Sequence, residues 1–122
     1  MAEKKTYLNF IDGKWTAPHS GQYYKNFNPA DDTDIVGNFP LSDRGDADGA
    51  VQSAHHAFKS WSRMLPGKRE EYINRFASLL DENKQRIGEA LCREEGKTLK
   101  EAIGEPTRGV VECRFFIGEG QR

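Results

Sequence analysis

Several classes of protein are excluded by what this chain of 122 residues lacks. Its two cysteines, Cys92 and Cys113, stand 21 positions apart, with no CxxC pair and no zinc-type Cys/His spacing. No apolar run approaches the ~18 residues of a membrane helix, and the basic N-terminus has no apolar signal segment behind it. We therefore expect free thiols and a soluble, cytoplasmic protein that does not contact membranes.

The chain also lacks a large excess of positive or negative charge. The chain has 18 Lys plus Arg against 19 Asp plus Glu, a formal net charge of -1. A protein that binds nucleic acid usually carries a basic patch that this balance does not provide. We expect no nucleic-acid partner.

Strong core-forming residues are few. Leu, Ile, Val and Phe number 24 of 122, close to the composition at which independent folding becomes doubtful. The apolar residues nevertheless follow regular periods. We therefore interpret the chain as a segment whose apolar faces are completed by protein outside it.

Residues 1–41 are predicted to form strands and turns. Residues 7–11 and 14–16 flank Asp12-Gly13, a pair typical of the tight turn of a β-hairpin. Residues 23–27 and 35–39 are two further strand candidates, and the polar run between them, residues 28–34, is predicted to be a turn because of its Asn-Pro pair and its aspartates.

Residues 42–122 show helical periodicity. Apolar residues recur on one face from Ala50 to Trp61, and this first helix is predicted to end near Pro66. A second and a third helix follow, the third ending at Gly96, and the Thr98-x-x-Glu101 capping box starts a fourth. Pro106 predicts a kink in the fourth helix.

Few residues offer chemistry. The adjacent His55 and His56 diverge on a helix, so one is predicted to be a surface residue and the other to border the apolar face. Both cysteines are interpreted as small packing residues. Gly118 and Gly120 follow a helix, so they do not make a dinucleotide-binding turn. We therefore assign no catalytic and no cofactor-binding residue.

Arg108 is the exception. It lies three residues after Glu105, which predicts an ordinary i,i+3 ion pair. The alternative, a role in binding, depends on a resemblance to a known family.

The order and spacing of several short motifs resemble the N-terminal segment of the aldehyde dehydrogenase superfamily. The resemblance covers nearly the whole chain. The motifs are Phe-Ile-Asp-Gly-Lys-Trp at 10–15, Asn-Pro-Ala at 28–30, Ile-Val-Gly at 35–37, the helix at 50–62, Glu-Gly-Lys at 95–97 and Gly-Glu at 104–105.

The resemblance implies an α/β fold of which this chain is the N-terminal piece, residues 1–122 of a coenzyme-binding domain. It implies an enzyme about four times as long, a homodimer or homotetramer, that oxidises an aldehyde to a carboxylic acid with NAD or NADP. The family's nucleophilic Cys, its water-activating Glu and its oxyanion-binding Asn have no counterpart in these 122 residues. We expect the chain alone to be inactive and to bind no coenzyme tightly, its partners being the rest of the polypeptide and a small aldehyde.

The resemblance also assigns candidate site residues. The backbone carbonyls of Asn26 and Phe27, with Glu94, match ligands of a structural monovalent cation; the alternative is that all three are ordinary strand and helix-end residues. Arg108 matches a position at the substrate entrance. Residues 96–105 resemble the semialdehyde branch, which includes the dehydrogenases of 2-oxoglutarate semialdehyde (2,5-dioxopentanoate) and succinate semialdehyde.

A second hypothesis remains. The chain would be a standalone helical interaction module that binds a partner through its apolar stripes.

Overall fold

The computed structural model describes residues 5–120, an α/β arrangement of four strands followed by four helices. This confirms the predicted fold class. The elements are β1 (Asn9–Ile11), β2 (Lys14–Thr16), β3 (Tyr23–Asn28), β4 (Asp31–Pro40), α1 (Arg44–Trp61), α2 (Pro66–Glu82), α3 (Lys84–Glu95) and α4 (Leu99–Glu119).

The first two strands form the predicted hairpin. β1 and β2 pair antiparallel, and the turn residues Asp12 and Gly13 have φ values of 54° and 72°. Two consecutive positive φ angles define the turn type that Asp-Gly favours. Across the hairpin the rings of Phe10 and Trp15 lie 4.9 Å apart between centroids.

The second hairpin corrects one prediction. β3 and β4 pair antiparallel, and Asn28 pairs with Asp31, so the turn is only Pro29-Ala30 and the aspartates belong to β4. The Asn28 side-chain oxygen accepts from the Ala30 N–H at 3.0 Å, which closes the turn early. The extra polar residues are accommodated by register shifts on either side of Phe27, as in a β-bulge.

The N-terminal segment joins the second hairpin. The Tyr7 N–H donates to the Asn38 carbonyl at 2.9 Å, and the Asn38 N–H donates to the Lys5 carbonyl at 3.0 Å, in a parallel bridge. Tyr7 therefore pairs with β4, although its sequence placed it in the first strand. Gly37 permits this approach, since a Cβ there would lie 2.6 Å from the Tyr7 ring.

Helix α1 begins at a capping box formed by Asp43 and Asp46. It packs against β1, yet none of its residues is buried. Val51 is 67% exposed and Phe58 59% exposed. The part of the predicted apolar face that Val51 and Phe58 form is therefore exposed among the described residues.

The chain divides into two compact units, residues up to Ser62 and residues from Arg63 onward. In the second unit α4 packs against both α2 and α3. Its core is narrow: among the described residues Ala77, Ala102 and Val110 are buried apolar side chains, and Pro106 is buried on the same side of α4 as Ala102 and Val110. No helix in that range is long and apolar enough to cross a bilayer.

The ends of α3 and α4 follow the predictions. Gly96 terminates α3 with a φ of 72°, and Thr98 caps α4 with the predicted box. α4 continues unbroken through Pro106 to Glu119. The kink stays a prediction.

Gly88 sets the distance between α3 and α4. A Cβ at Gly88 would lie 2.9 Å from the Ile103 backbone, so we expect Gly88→Ala to force the helices apart and to destabilise the second unit by about 1–3 kcal/mol. Gly104→Ala is the matched control, because its Cβ would meet nothing within 4 Å; we expect it to be neutral or stabilising. Thermal unfolding followed by circular dichroism measures both, and equal midpoints would contradict the close approach.

Candidate functional site

The candidate site is built on α4, whose start is fixed by local hydrogen bonds. The Thr98 hydroxyl accepts from the Glu101 N–H at 3.4 Å, and the Glu101 carboxylate accepts from the Thr98 hydroxyl at 2.7 Å and from the Thr98 N–H at 3.3 Å. The two hydrogen bonds to the carboxylate lower the pKa of Glu101, and the bond from the Thr98 hydroxyl has the larger effect. The capping box therefore fixes where the first turn begins.

Lys97 links the α3–α4 connection to the second turn of α4. Its ammonium lies 2.8 Å from a Glu95 carboxylate oxygen and 3.0 Å from one of Glu105. Hydrogen bonds to Glu95 and Glu105 raise the pKa of Lys97, and the bond to Glu95 has the larger effect. The free thiol of Cys92 donates to the Lys97 carbonyl at 3.1 Å. Cys92 thus supports this connection through its thiol.

Arg108 has a different partner from the one its spacing predicts. Its Nε donates to Glu112 Oε1 at 2.8 Å, an i,i+4 pair, so the predicted i,i+3 pair with Glu105 is wrong. The physical reason is that Lys97 already occupies the Glu105 carboxylate. The Arg108 side chain is 79% exposed.

The side of α4 that carries Arg108 also carries its partner Glu112 and exposed apolar residues. Arg108 lies two residues from both Pro106 and Val110, which on a helix of 3.6 residues per turn places it opposite the packed side. Val111 and Phe115 flank it on the same side and are 63% and 61% exposed. We call Gly104, Arg108, Val111 and Phe115 the outward face of α4. Arg108, paired with Glu112, lies there beside exposed apolar side chains.

The three cation-ligand candidates fall in different units. Asn26 and Phe27 lie in β3 at the register shift, while Glu94 lies in the last turn of α3. Among the described residues no group of three or more His, Cys, Asp or Glu side chains is placed to hold a metal.

His19 was missed by sequence reasoning. Its Nδ1 lies 3.2 Å from Asp43 Oδ2, and its backbone N–H donates to Asp46 Oδ1 at 2.9 Å. Only the fold brings these residues together, since 24 positions separate His19 from Asp43. His55 and His56 are both exposed.

The described residues do not provide a dinucleotide-binding turn. The four strands in residues 5–120 form two antiparallel hairpins, whereas that turn joins a strand of a parallel sheet to a helix. Gly118 lies inside α4 and Gly120 caps it.

We compared the chain with known proteins. The model of the aldehyde dehydrogenase family matches residues 15–122. An alpha-ketoglutaric semialdehyde dehydrogenase from Bacillus subtilis (strain 168) is 39% identical over the whole chain, which covers 25% of that protein. A malonate-semialdehyde dehydrogenase from the same organism is 35% identical, over 97% of the chain and 24% of the relative.

Comparison with solved structures also matches the chain to aldehyde dehydrogenases. The NAD-dependent aldehyde dehydrogenase from Sinorhizobium meliloti superposes with a TM-score of 0.90 at 25% identity, over 98% of this chain and 24% of the other. The chain belongs to the aldehyde dehydrogenase family. It spans about a quarter of the length of the curated relatives that it matches.

The pKa of Asp43 is lowered, first by the Asp46 N–H and then by His19. Its cap is therefore complete above about pH 4 and is lost as the pH falls through the lowered folded-state value. We expect acidification to shift the NMR amide signals of Gly45 and Asp46, the two N–H groups that Asp43 accepts.

Asp43→Asn should remove much of this acid response, because a side-chain amide oxygen caps a helix at every pH. Asp48→Asn is the control, since Asp48 pairs with Arg44 and does not cap. An unchanged acid midpoint in Asp43→Asn would contradict the assignment.

Proposed function

We propose that this chain is the N-terminal quarter of an NAD- or NADP-dependent aldehyde dehydrogenase. The observation that carries the proposal is the match of all 122 residues to 25% of a relative at 39% identity. The uncovered apolar faces of α1 and α4 support it, because exposed apolar area of this kind marks surfaces that contact other protein. Here the other protein is the remainder of the polypeptide.

In this proposal the nucleophile and the coenzyme site belong to the remainder of the enzyme. The coenzyme accepts the hydride of the aldehyde. The described residues contribute structure and one wall of the substrate entrance. We also propose that the complete enzyme is a homodimer or homotetramer in the cytoplasm. A further proposal is that the carbonyls of Asn26 and Phe27, with Glu94, bind a monovalent cation.

The proposed substrate is an ω-carboxylated semialdehyde such as 2,5-dioxopentanoate. Two relatives are named as semialdehyde dehydrogenases whose aldehydes carry a carboxylate at the far end. Arg108 supplies a cation on the outward face of α4, among Val111 and Phe115. Such a face suits a small anionic aldehyde, since a guanidinium binds a carboxylate through two parallel hydrogen bonds.

We expect Arg108→Met in the complete enzyme to raise KM for 2,5-dioxopentanoate by roughly 10- to 100-fold, the cost of a lost charge-assisted contact. KM for a simple aliphatic aldehyde should not change. Steady-state kinetics on both substrates measures the difference. Arg114→Met, on the same helix, is the control and should behave as wild type. An equal rise for both aldehydes would argue against carboxylate binding by Arg108.

The isolated chain 1–122 should not oxidise aldehydes. We expect no NAD- or NADP-dependent absorbance change at 340 nm with any aldehyde, because the proposed nucleophile lies in the remainder of the enzyme. A preparation of the complete enzyme is the positive control. Turnover that persists after contaminating enzyme is removed would overturn this assignment.

The second candidate function is a standalone interaction module. It is favoured by the same exposed residues, including Val51, Phe58 and Phe115. The reading frame after Arg122 separates the two hypotheses. A stop codon favours the module. Continuation into a Pro-Trp-Asn motif, which the resemblance to aldehyde dehydrogenases leads us to expect downstream, favours the enzyme.

A further inference from the structure

The contact between Arg108 and Glu112 uses one particular edge of the guanidinium. Arg108 donates through Nε, at 2.8 Å from Glu112 Oε1. A guanidinium carries five N–H donors in a rigid plane, so this contact leaves the two terminal nitrogens available. The Arg108 side chain is 79% exposed. The edge of the guanidinium formed by its two terminal nitrogens, which can bind a carboxylate through two hydrogen bonds, is therefore accessible.

Arg108 and Glu105 each have a partner other than one another, and Arg108 is held by Glu112. Glu105, one turn earlier, is engaged by Lys97 at 3.0 Å. Val110 on the packed side is buried, which fixes the rotation of α4 and thereby the direction in which Arg108 and Glu112 leave the helix. Two separate pairs result, Lys97 with Glu105 and Arg108 with Glu112.

We propose that Glu112 is a positioning residue for Arg108: by accepting from Nε it orients the guanidinium so that the terminal nitrogens bind the far carboxylate of the substrate. This inference rests on the substrate role proposed for Arg108. An unsupported arginine would have to lose its side-chain freedom when the substrate binds, whereas a held arginine has lost it beforehand. The benefit appears in KM for carboxylated aldehydes and not in kcat.

The test uses the complete enzyme and two substitutions at one position. Glu112→Leu removes the acceptor, and we expect KM for 2,5-dioxopentanoate to rise about threefold to tenfold while kcat and KM for an aliphatic aldehyde stay unchanged. Glu112→Gln keeps an acceptor oxygen without the charge, and we expect a KM close to wild type. A merely structural role would alter both aldehydes alike.

A double-mutant cycle isolates the pair. In the Arg108→Met background, Glu112→Leu should raise KM no further. A fall in KM with Glu112→Leu would mean that Glu112 competes with the substrate carboxylate, and an equal rise in both backgrounds would mean that it acts independently of Arg108; either result overturns the proposal. If Arg108→Met raises KM while Glu112→Leu does not, only the role of Glu112 fails. If Arg108→Met itself has no effect, the substrate contact fails and Glu112 loses its role with it.

Discussion

The close approach of α3 and α4 at Gly88 is the constraint on which the second unit depends. The Ile103 backbone lies only 2.9 Å from where a Cβ of Gly88 would be, so the two helices approach closely at this glycine. This contact, with the buried Ala102 and Val110, fixes which side of α4 is packed. The opposite side, with Arg108, is thereby turned outward. The orientation of the candidate site is thus a consequence of small residues on the packed side.

The small packed side also explains why so much apolar surface is left uncovered. A helix that buries Ala, Pro and Val needs little volume, and it leaves its larger residues, such as Phe115 and Phe116, on the outside. Burying large apolar side chains is the main stabilising term in folding. A chain that places them outside has the pattern of an incomplete structure, which agrees with its span of about a quarter of its relatives.

The elements that were predictable from the sequence are those specified by local chemistry. The Asp12-Gly13 turn, the Gly96 C-cap and the Thr98 box each depend on residues within a few positions of one another. The errors came from longer-range competition. Lys97 takes the Glu105 carboxylate that the spacing assigned to Arg108, and Tyr7 pairs with β4 because Gly37 leaves room for it. His19 meets Asp43 only in the folded chain, so no spacing pattern could have indicated it.

The central claim is that the exposed apolar side chains of α1 and α4 are covered by other parts of the complete protein. Hydroxyl-radical footprinting of the protein encoded by the complete reading frame tests this directly, with the same protein unfolded in urea as the reference. We expect Phe58, Phe115 and Phe116, which are all more than half exposed in this chain, to react far more slowly in the native protein than in the unfolded one. Equal reactivity in both states would contradict the account.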